Sequence, residues 1–254
     1  MLVILSPSKT SDPAPIKFHR ATFVIFPKET AKLISILKKK SIGEVMALMN
    51  ISEKLAEKTY KTFQEISTGN DDDKIKAAIF TFKGEVYVGL DAENMSVDDL
   101  NFAQDHLRIL SGLYGSLKPF DEIHEYRLEM GTRLLTSKGT NLYHFWGDKI
   151  TKSIHKDIQL SGSNYLVNLA SDEYFKSLKP ALLKTKVISA DFFDIKNGKR
   201  VFNTFNAKKA RGMLAQYIIK NRINEPHPLS SFDMDGYVFD KSSSNESLLT
   251  FIRK

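Results

Sequence analysis

The sequence predicts an α+β protein: one mixed domain with a central twisted sheet or partial barrel and surrounding helices. Three observations carry this reading. Short apolar runs of strand length are interspersed with longer stretches of helical periodicity. The repeating strand–helix–strand period of a doubly wound sheet is absent. No internal repeat or low-complexity linker divides the 254 residues, and only Asn70–Asp73 is weakly linker-like. One domain spanning 1–254 is therefore expected.

Taken in order, Met1–Leu5 is short, apolar and stopped by Ser6-Pro7, as a buried strand would be. Ser8–Pro15 is a polar loop. Glu29–Lys40 has helical spacing through Ala31, Leu33, Ile34 and Leu37, and a helical pair follows in Ile42–Met49 and Ser52–Ile66. Ser67–Asp73 reads as the clearest loop. Ala78–Phe82 and Val86–Leu90 flank Lys83-Gly84-Glu85, which predicts a strand hairpin. Asp98–Leu110 reads as a helix capped by Ser96, broken by Gly112–Pro119. Asn141–Ile158 is mostly helical, Tyr165–Leu169 a strand, and Glu173–Leu178 a short helix. Val187–Phe193 and Val201–Phe205 alternate as strands across Asn197-Gly198. Lys208–Arg222 is a helix with an apolar face at Met213, Leu214, Tyr217 and Ile218. Tyr237–Asp240 and Ser247–Arg253 form a final hairpin.

The chain contains no cysteine, which excludes thiolate nucleophiles, disulfides and Cys-type metal sites. The apolar run Leu2–Leu5 is too short for a signal peptide, and no stretch approaches the roughly 18–20 apolar residues of a membrane helix. A cytoplasmic protein is expected. The net charge of +7 favours acidic partners. That charge is unevenly spread. From Ile195 to Asn224 there is no Asp or Glu, while Lys196, Lys199, Arg200, Lys208, Lys209, Arg211, Lys220 and Arg222 all fall in the window. The cations at Lys208, Lys209 and Arg211 are expected at a helix start, where they oppose the dipole and ask for a nearby anion. Phosphate contact and a solvated charged face both fit this composition.

Ile42–Ile66 carries a second signal. It resembles the helix-hairpin-helix module, in which a tight turn presents backbone amides to a phosphate at the second helix's N-terminus. Ile51 takes the central apolar place, Lys54 the basic place and Ala56 the small one. Both glycines of that module are missing. Asn50 enters the left-handed region more readily than most residues, and Ser52 is suited to cap the second helix. An ordinary αα-hairpin packed on a core fits the same residues.

Several segments together are more specific. They are Leu5-Ser6-Pro7-Ser8-Lys9-Thr10, Phe82-Lys83-Gly84-Glu85-Val86-Tyr87, Ala103 to Gly115, Tyr126-Arg127-Leu128-Glu129-Met130-Gly131-Thr132, Phe145-Trp146-Gly147-Asp148, Asn168 to Phe175 and Ala207 to Gly212. As an ordered set they resemble the YaaA family of bacterial peroxide stress proteins over essentially the whole chain. The resemblance implies a single, unusual α+β domain with a helix-hairpin-helix element and a positively charged cleft. It implies binding of duplex or distorted DNA, and a role in hydrogen peroxide tolerance linked to lowering free intracellular iron.

Lys9, Arg108, Arg127, Lys208, Lys209 and Arg211 are expected to line one polar cleft, with Asn50, Ile51, Ser52 and Lys54 forming the hairpin grip. Binding read through amides and lysines is expected to be weakly sequence-specific. No cofactor is implied, and a monomer is favoured. The six histidines are scattered, none paired at helical spacing, so no metal site is expected. An enzyme acting on a nucleotide or nucleic acid in the same cleft is the rival reading. Asp172-Glu173 and the pair Arg127 and Glu129 would supply its acid–base groups. No nucleophile elbow, Walker loop or dinucleotide fingerprint occurs.

Overall fold

The computed structural model describes residues 1–11, 20–66 and 75–253. The loop read at Ser67–Asp73, the linker-like Asn70–Asp73, the second half of the loop Ser8–Pro15 and His19 lie outside the described residues.

The frame is a mixed sheet of eight strands: β1 (Leu2–Leu5), β2 (Leu107–Ser111), β3 (Gly115–Leu117), β4 (Tyr165–Leu169), β5 (Lys186–Lys196), β6 (Lys199–Val201), β7 (Tyr237–Phe239) and β8 (Leu248–Arg253). Its order is β7-β8-β5-β4-β1-β2-β3, with β6 paired to β5. The five inner strands run parallel to their neighbours. The outer pairings, β7 with β8, β3 with β2 and β6 with β5, are antiparallel. The sheet is open, so the twisted-sheet form of the expectation holds rather than a barrel. Every residue of β1 and β2 is buried, as a parallel strand covered on both faces must be.

The helices are α1 (Pro27–Leu37), α2 (Ile42–Met49), α3 (Glu53–Glu65), α4 (Ala78–Thr81), α5 (Glu85–Leu90), α6 (Val97–His106), α7 (Leu142–Trp146), α8 (Lys149–Leu160), α9 (Asp172–Phe175), α10 (Pro180–Leu183) and α11 (Thr204–Lys220). Ser96 caps α6 as expected, in a reciprocal box with Asp99. The turn at Asn197-Gly198 and the final hairpin β7–β8 form as the sequence predicts, but the strand read at Val201–Phe205 does not: its place is taken by Lys199–Val201, and Thr204 already opens α11.

Two further expectations are corrected. The helix read over Asp98–Leu110 ends at His106, and Leu107–Ser111 is strand β2 beside β1. So short a segment, Leu-Arg-Ile-Leu-Ser, cannot declare its period, and the parallel partner decided the matter. The strand pair read at Ala78–Phe82 and Val86–Leu90 is instead α4 and α5, with only Phe82–Lys83 extended, against Thr10–Ser11. Tertiary packing selects the helix. A Cβ on Gly89 would lie 2.0 Å from the Lys209 carbonyl oxygen, and one on Gly212 would lie 1.8 Å from that of Val86. The two bare glycines let α5 and α11 cross backbone to backbone. Gly212 of the Ala207–Gly212 motif is thus a packing residue.

From β1 the chain moves outward to β2 and β3, returns past β1 to place β4, and then adds β5 and β8 beyond it. The order reverses between β1 and β4, whose ends are level at Leu5 and Leu169. In open parallel sheets the crevice outside the carboxyl ends at such a reversal is where ligands bind.

Candidate functional site

Two motif segments meet at that crevice. The Ser171 amide donates to Ser6 Oγ at 2.9 Å, and Tyr87 OH donates to the Ser6 carbonyl at 3.0 Å. Asn168 Oδ1 accepts the Ala170 amide at 3.1 Å, which fixes the turn leaving β4. Beyond Ser6, Lys9 Nζ lies 2.8 Å from Glu129 Oε2. Arg127 reaches the other oxygen of Glu129 at 3.6 Å and the Lys9 carbonyl at 3.4 Å. Among the described residues, the Nε of Arg127 is buried without a hydrogen-bond partner. Glu173, the second residue of α9, accepts the Gly131 amide at 2.9 Å, and Tyr143 OH donates to the Glu173 carbonyl at 2.8 Å.

A floor of buried tyrosines underlies these groups. Tyr126 OH and Ser111 Oγ are 2.6 Å apart. Burial pushes the phenols of Tyr87, Tyr126 and Tyr174 up from their ordinary value. They stay protonated near neutrality, as hydrogen-bonding spacers with no charge to offer.

Between this loop and the hairpin lies a cleft of about 650 Å³. Asn50 lines it from one side, and Glu129, Gly131, Arg133 and Glu173 from the other. Lys40 and Glu44 complete its charged rim. Three carboxylates face two cations, so this cleft is mixed in charge. It suits a ligand with both donors and acceptors.

Helices α2 and α3 form an αα-hairpin. Asn50 takes the left-handed conformation at the end of α2, φ 50° and ψ 56°. Ala56 is buried where α2 and α3 pack, and Lys54 is exposed. Ser52 holds the N-cap position of α3, but its side chain makes no capping bond. The expected cap is absent, which leaves the first amides of α3 without that partner.

The six cations expected in one cleft are not together. Arg108 is a correction. It is 2% exposed in β2, its Nε donates to Asp157 of α8 at 2.7 Å, and its Nη1 donates to the carbonyls of Gln104 and Leu107. A guanidinium buried in mid-sheet must be answered inside the protein, and Asp157 answers it. Lys9 and Arg127 do meet, around Glu129. Lys208, Lys209 and Arg211 ride on α11, but not at its start. The helix begins at Thr204 behind Asn203, whose Oδ1 accepts the amides of Phe205 and Asn206. Lys208 and Lys209 thus occupy the second turn, beyond the strongest dipole field. Lys209 approaches Asp235 at 3.6 Å. Arg211 is half-buried, which lowers its pKa, while Asp191 and Asp172 raise it again. Through Asp172 it borders the crevice at β4.

The acid-free stretch finds some of its anions elsewhere in the chain. Arg200 pairs with Asp240 at 2.7 Å and Arg222 with Asp99 at 2.7 Å. Lys196, Lys199, Lys208 and Lys220 have no ion pair among the described residues. Also among the described residues, no three His, Asp or Glu side chains gather as a metal ion would require, and no helix is long and apolar enough to cross a membrane. Sequence reasoning missed Tyr87 and Tyr143, whose hydroxyls fix the Ser6 and Glu173 backbone. Nothing local marks them, because their acceptors lie 81 and 30 residues away.

This chain has full-length relatives. A family model described as peroxide stress protein YaaA matches residues 1–243. Proteins from Teredinibacter turnerae (strain ATCC 39867 / T7901) and Saccharophagus degradans (strain 2-40 / ATCC 43961 / DSM 17024), each described as a UPF0246 protein, are 46% identical over 255 residues. Each alignment covers 100% of this chain and 100% of the relative.

Proposed function

The chain belongs to the YaaA family of peroxide stress proteins, and on that premise we propose that it is a DNA-binding protein of the hydrogen peroxide response. It grips the phosphate backbone of duplex or distorted DNA with the α2–α3 hairpin and with cations of α11 and the β5–β6 hairpin. It acts in the cytoplasm as a monomeric single domain, and its action lowers free intracellular iron. The observation that carries the DNA reading is the residue of unpaired charge: Lys196, Lys199 and Lys208 keep no ion pair among the described residues, although acids elsewhere pair with Arg200, Lys209 and Arg222. The left-handed Asn50 supports the hairpin's part, since the turn leaves the α3 amides beside it uncapped.

A titration of duplex, bubble and single-stranded DNA at two salt concentrations tests this. Affinity is expected to fall with salt, with a slope of about −0.9 per phosphate neutralised on duplex. Absence of binding to every form at low salt overturns it.

A specific observation also favours an enzyme at the same place: Glu129 and Glu173 line the cleft beside Asn50. Incubation with DNA, ATP and magnesium separates the readings. A product that disappears in Glu173→Gln, with DNA affinity retained, assigns the cleft to catalysis.

A further inference from the structure

The largest apolar side chains left in water on the basic segment stand beside its unpaired cations. Phe202 is 52% exposed and Phe205 58% exposed. They bracket Asn203, at the passage from β6 into α11. This passage is held at several points. Asn203 caps α11, Asn206 Nδ2 donates to Asp194 Oδ2 at 2.6 Å, and the Phe202 ring stands edge-on to Phe193 at 6.1 Å. On Phe193, in turn, the Arg200 guanidinium is stacked at 5.2 Å. Phe205 has no ring partner among the described residues. Two rings are therefore presented to solvent on a braced backbone, so little ordering entropy is left to lose when something covers them.

The surrounding charge says what fits. Lys196 and Lys199 flank the tip of the β5–β6 hairpin, and Lys208 lies one helical turn beyond Phe205 on the same face of α11. The nearby acids are already engaged: Asp194 by Arg253 and Asn206, Asp240 by Arg200, and Asp235 by Arg253 and Lys209. An apolar protein surface would leave the three lysines unanswered. A perfect duplex would answer the lysines and leave the rings in water, because its base faces are stacked on each other. An unpaired stretch of DNA offers both phosphates and open π faces.

We propose that Phe202 and Phe205 are a stacking site for unpaired bases of DNA, with Lys196, Lys199 and Lys208 holding the flanking phosphates. The proposal rests on the DNA-binding reading above and sharpens it. Phosphate contacts set affinity for any DNA, and the two rings add preference for distorted or single-stranded forms.

The test is fluorescence anisotropy with end-labelled oligothymidine, a bubble duplex and a perfect duplex. Phe202→Ala and Phe205→Ala should each weaken oligothymidine and bubble binding by about tenfold, since stacking carries that order of effect per base. Perfect-duplex affinity should change by less than about twofold, and the salt slope should stay put, because no charge is removed. Lys199→Gln should do the opposite, weakening all three forms and flattening the slope. A second readout is Phe205→Trp, whose emission should be quenched by oligothymidine, while the wild type, with its one tryptophan buried at Trp146, stays constant. If the wild type binds DNA and neither alanine variant loses single-strand preference, or the new tryptophan is not quenched, the stacking site is overturned and the DNA reading survives. If the alanine variants change oligomeric state instead of DNA affinity, the patch is a self-association surface and the proposal falls. If the wild type binds no DNA of any form, both readings fall together.

Discussion

At the middle of the sheet Arg108 is met by Asp157; at its rim Lys196, Lys199 and Lys208 are met by no acid among the described residues. In the sequence both are simply cations, with nothing local to tell a buried one from an exposed one. Burial separates them. A guanidinium that is 2% exposed cannot be stable unless a partner and carbonyl acceptors surround it. An ammonium at the rim has water, and so it can remain available. A count of positive residues therefore does not locate a binding surface. Under the proposed function, what locates it is the charge left over once distant acids have made their pairs.

The contrast can be broken by experiment. The largest expected effect is at its buried end. Asp157→Ala leaves the Arg108 charge unanswered and should cost about 3–5 kcal/mol. That corresponds to a fall in melting temperature on the order of 10 °C. The folded fraction should bind DNA as before. A variant with unchanged melting temperature and lost DNA binding would return Arg108 to the interface.

Next in size is Gly212→Ala. Its new methyl would lie 1.8 Å from the Val86 carbonyl oxygen, so α5 and α11 must part. A loss of about 1–3 kcal/mol in denaturant unfolding is expected. Retained stability would mean that this motif serves something other than the crossing.

Smaller still is the rim. Lys208→Gln should flatten the dependence of log affinity on log salt by about 0.9, with stability unchanged within about 0.5 kcal/mol. Lys9→Gln, which only breaks an ion pair with Glu129, should leave that slope alone. Equal slopes for the two variants would erase the distinction between paired and unpaired cations.

The most local test uses an intermediate case. Asp121 is fully buried; the Lys118 amide at 2.8 Å and the Thr22 hydroxyl at 2.7 Å donate to it, and the Arg108 and Lys118 charges act on it from further away. Burial pushes its carboxyl up to about 6 against those two donors. The folded state thus holds a proton that the unfolded chain has released between about pH 4 and 6. Asp121's contribution is favourable at the acidic end of that window and declines as pH rises through 6. Thermal unfolding against pH should show Asp121→Asn gaining on the wild type from pH 4 to 7. A difference that does not vary with pH would mean that the donors, not desolvation, set this group.

Much of the fold could be read from local pattern. β1 is an apolar run closed by proline. The Ser96 cap and the Asn50 turn follow from what those side chains and backbones do within four residues. The β5–β6 turn follows from Asn197 and Gly198, both of which adopt positive φ. The segments misread were Leu107–Ser111, Ala78–Phe82, Val86–Leu90 and Val201–Phe205, where the local signal fits two periods and distant neighbours choose. The candidate site was legible in its residue types: Lys9, Arg127, Asn50 and Arg211 border the cleft or the crevice at β4. Arg108 was misplaced, because Asp157, 49 residues away, leaves no mark near it.

The sequence by itself determined the family, the mixed helical and strand content, the α2–α3 hairpin and an acid-free basic stretch. Those depend on interactions between near neighbours, or on motifs that survive as ordered letters. Only the tertiary structure decided that the inner sheet is parallel and reverses at β1 and β4. It also decided that Glu129 and Glu173 face the hairpin, and that three lysines stand without an ion pair among the described residues, beside two exposed phenylalanines. The reason is that pairing, burial and exposure are set by residues tens of positions apart, and their meeting costs chain entropy that only the complete core repays.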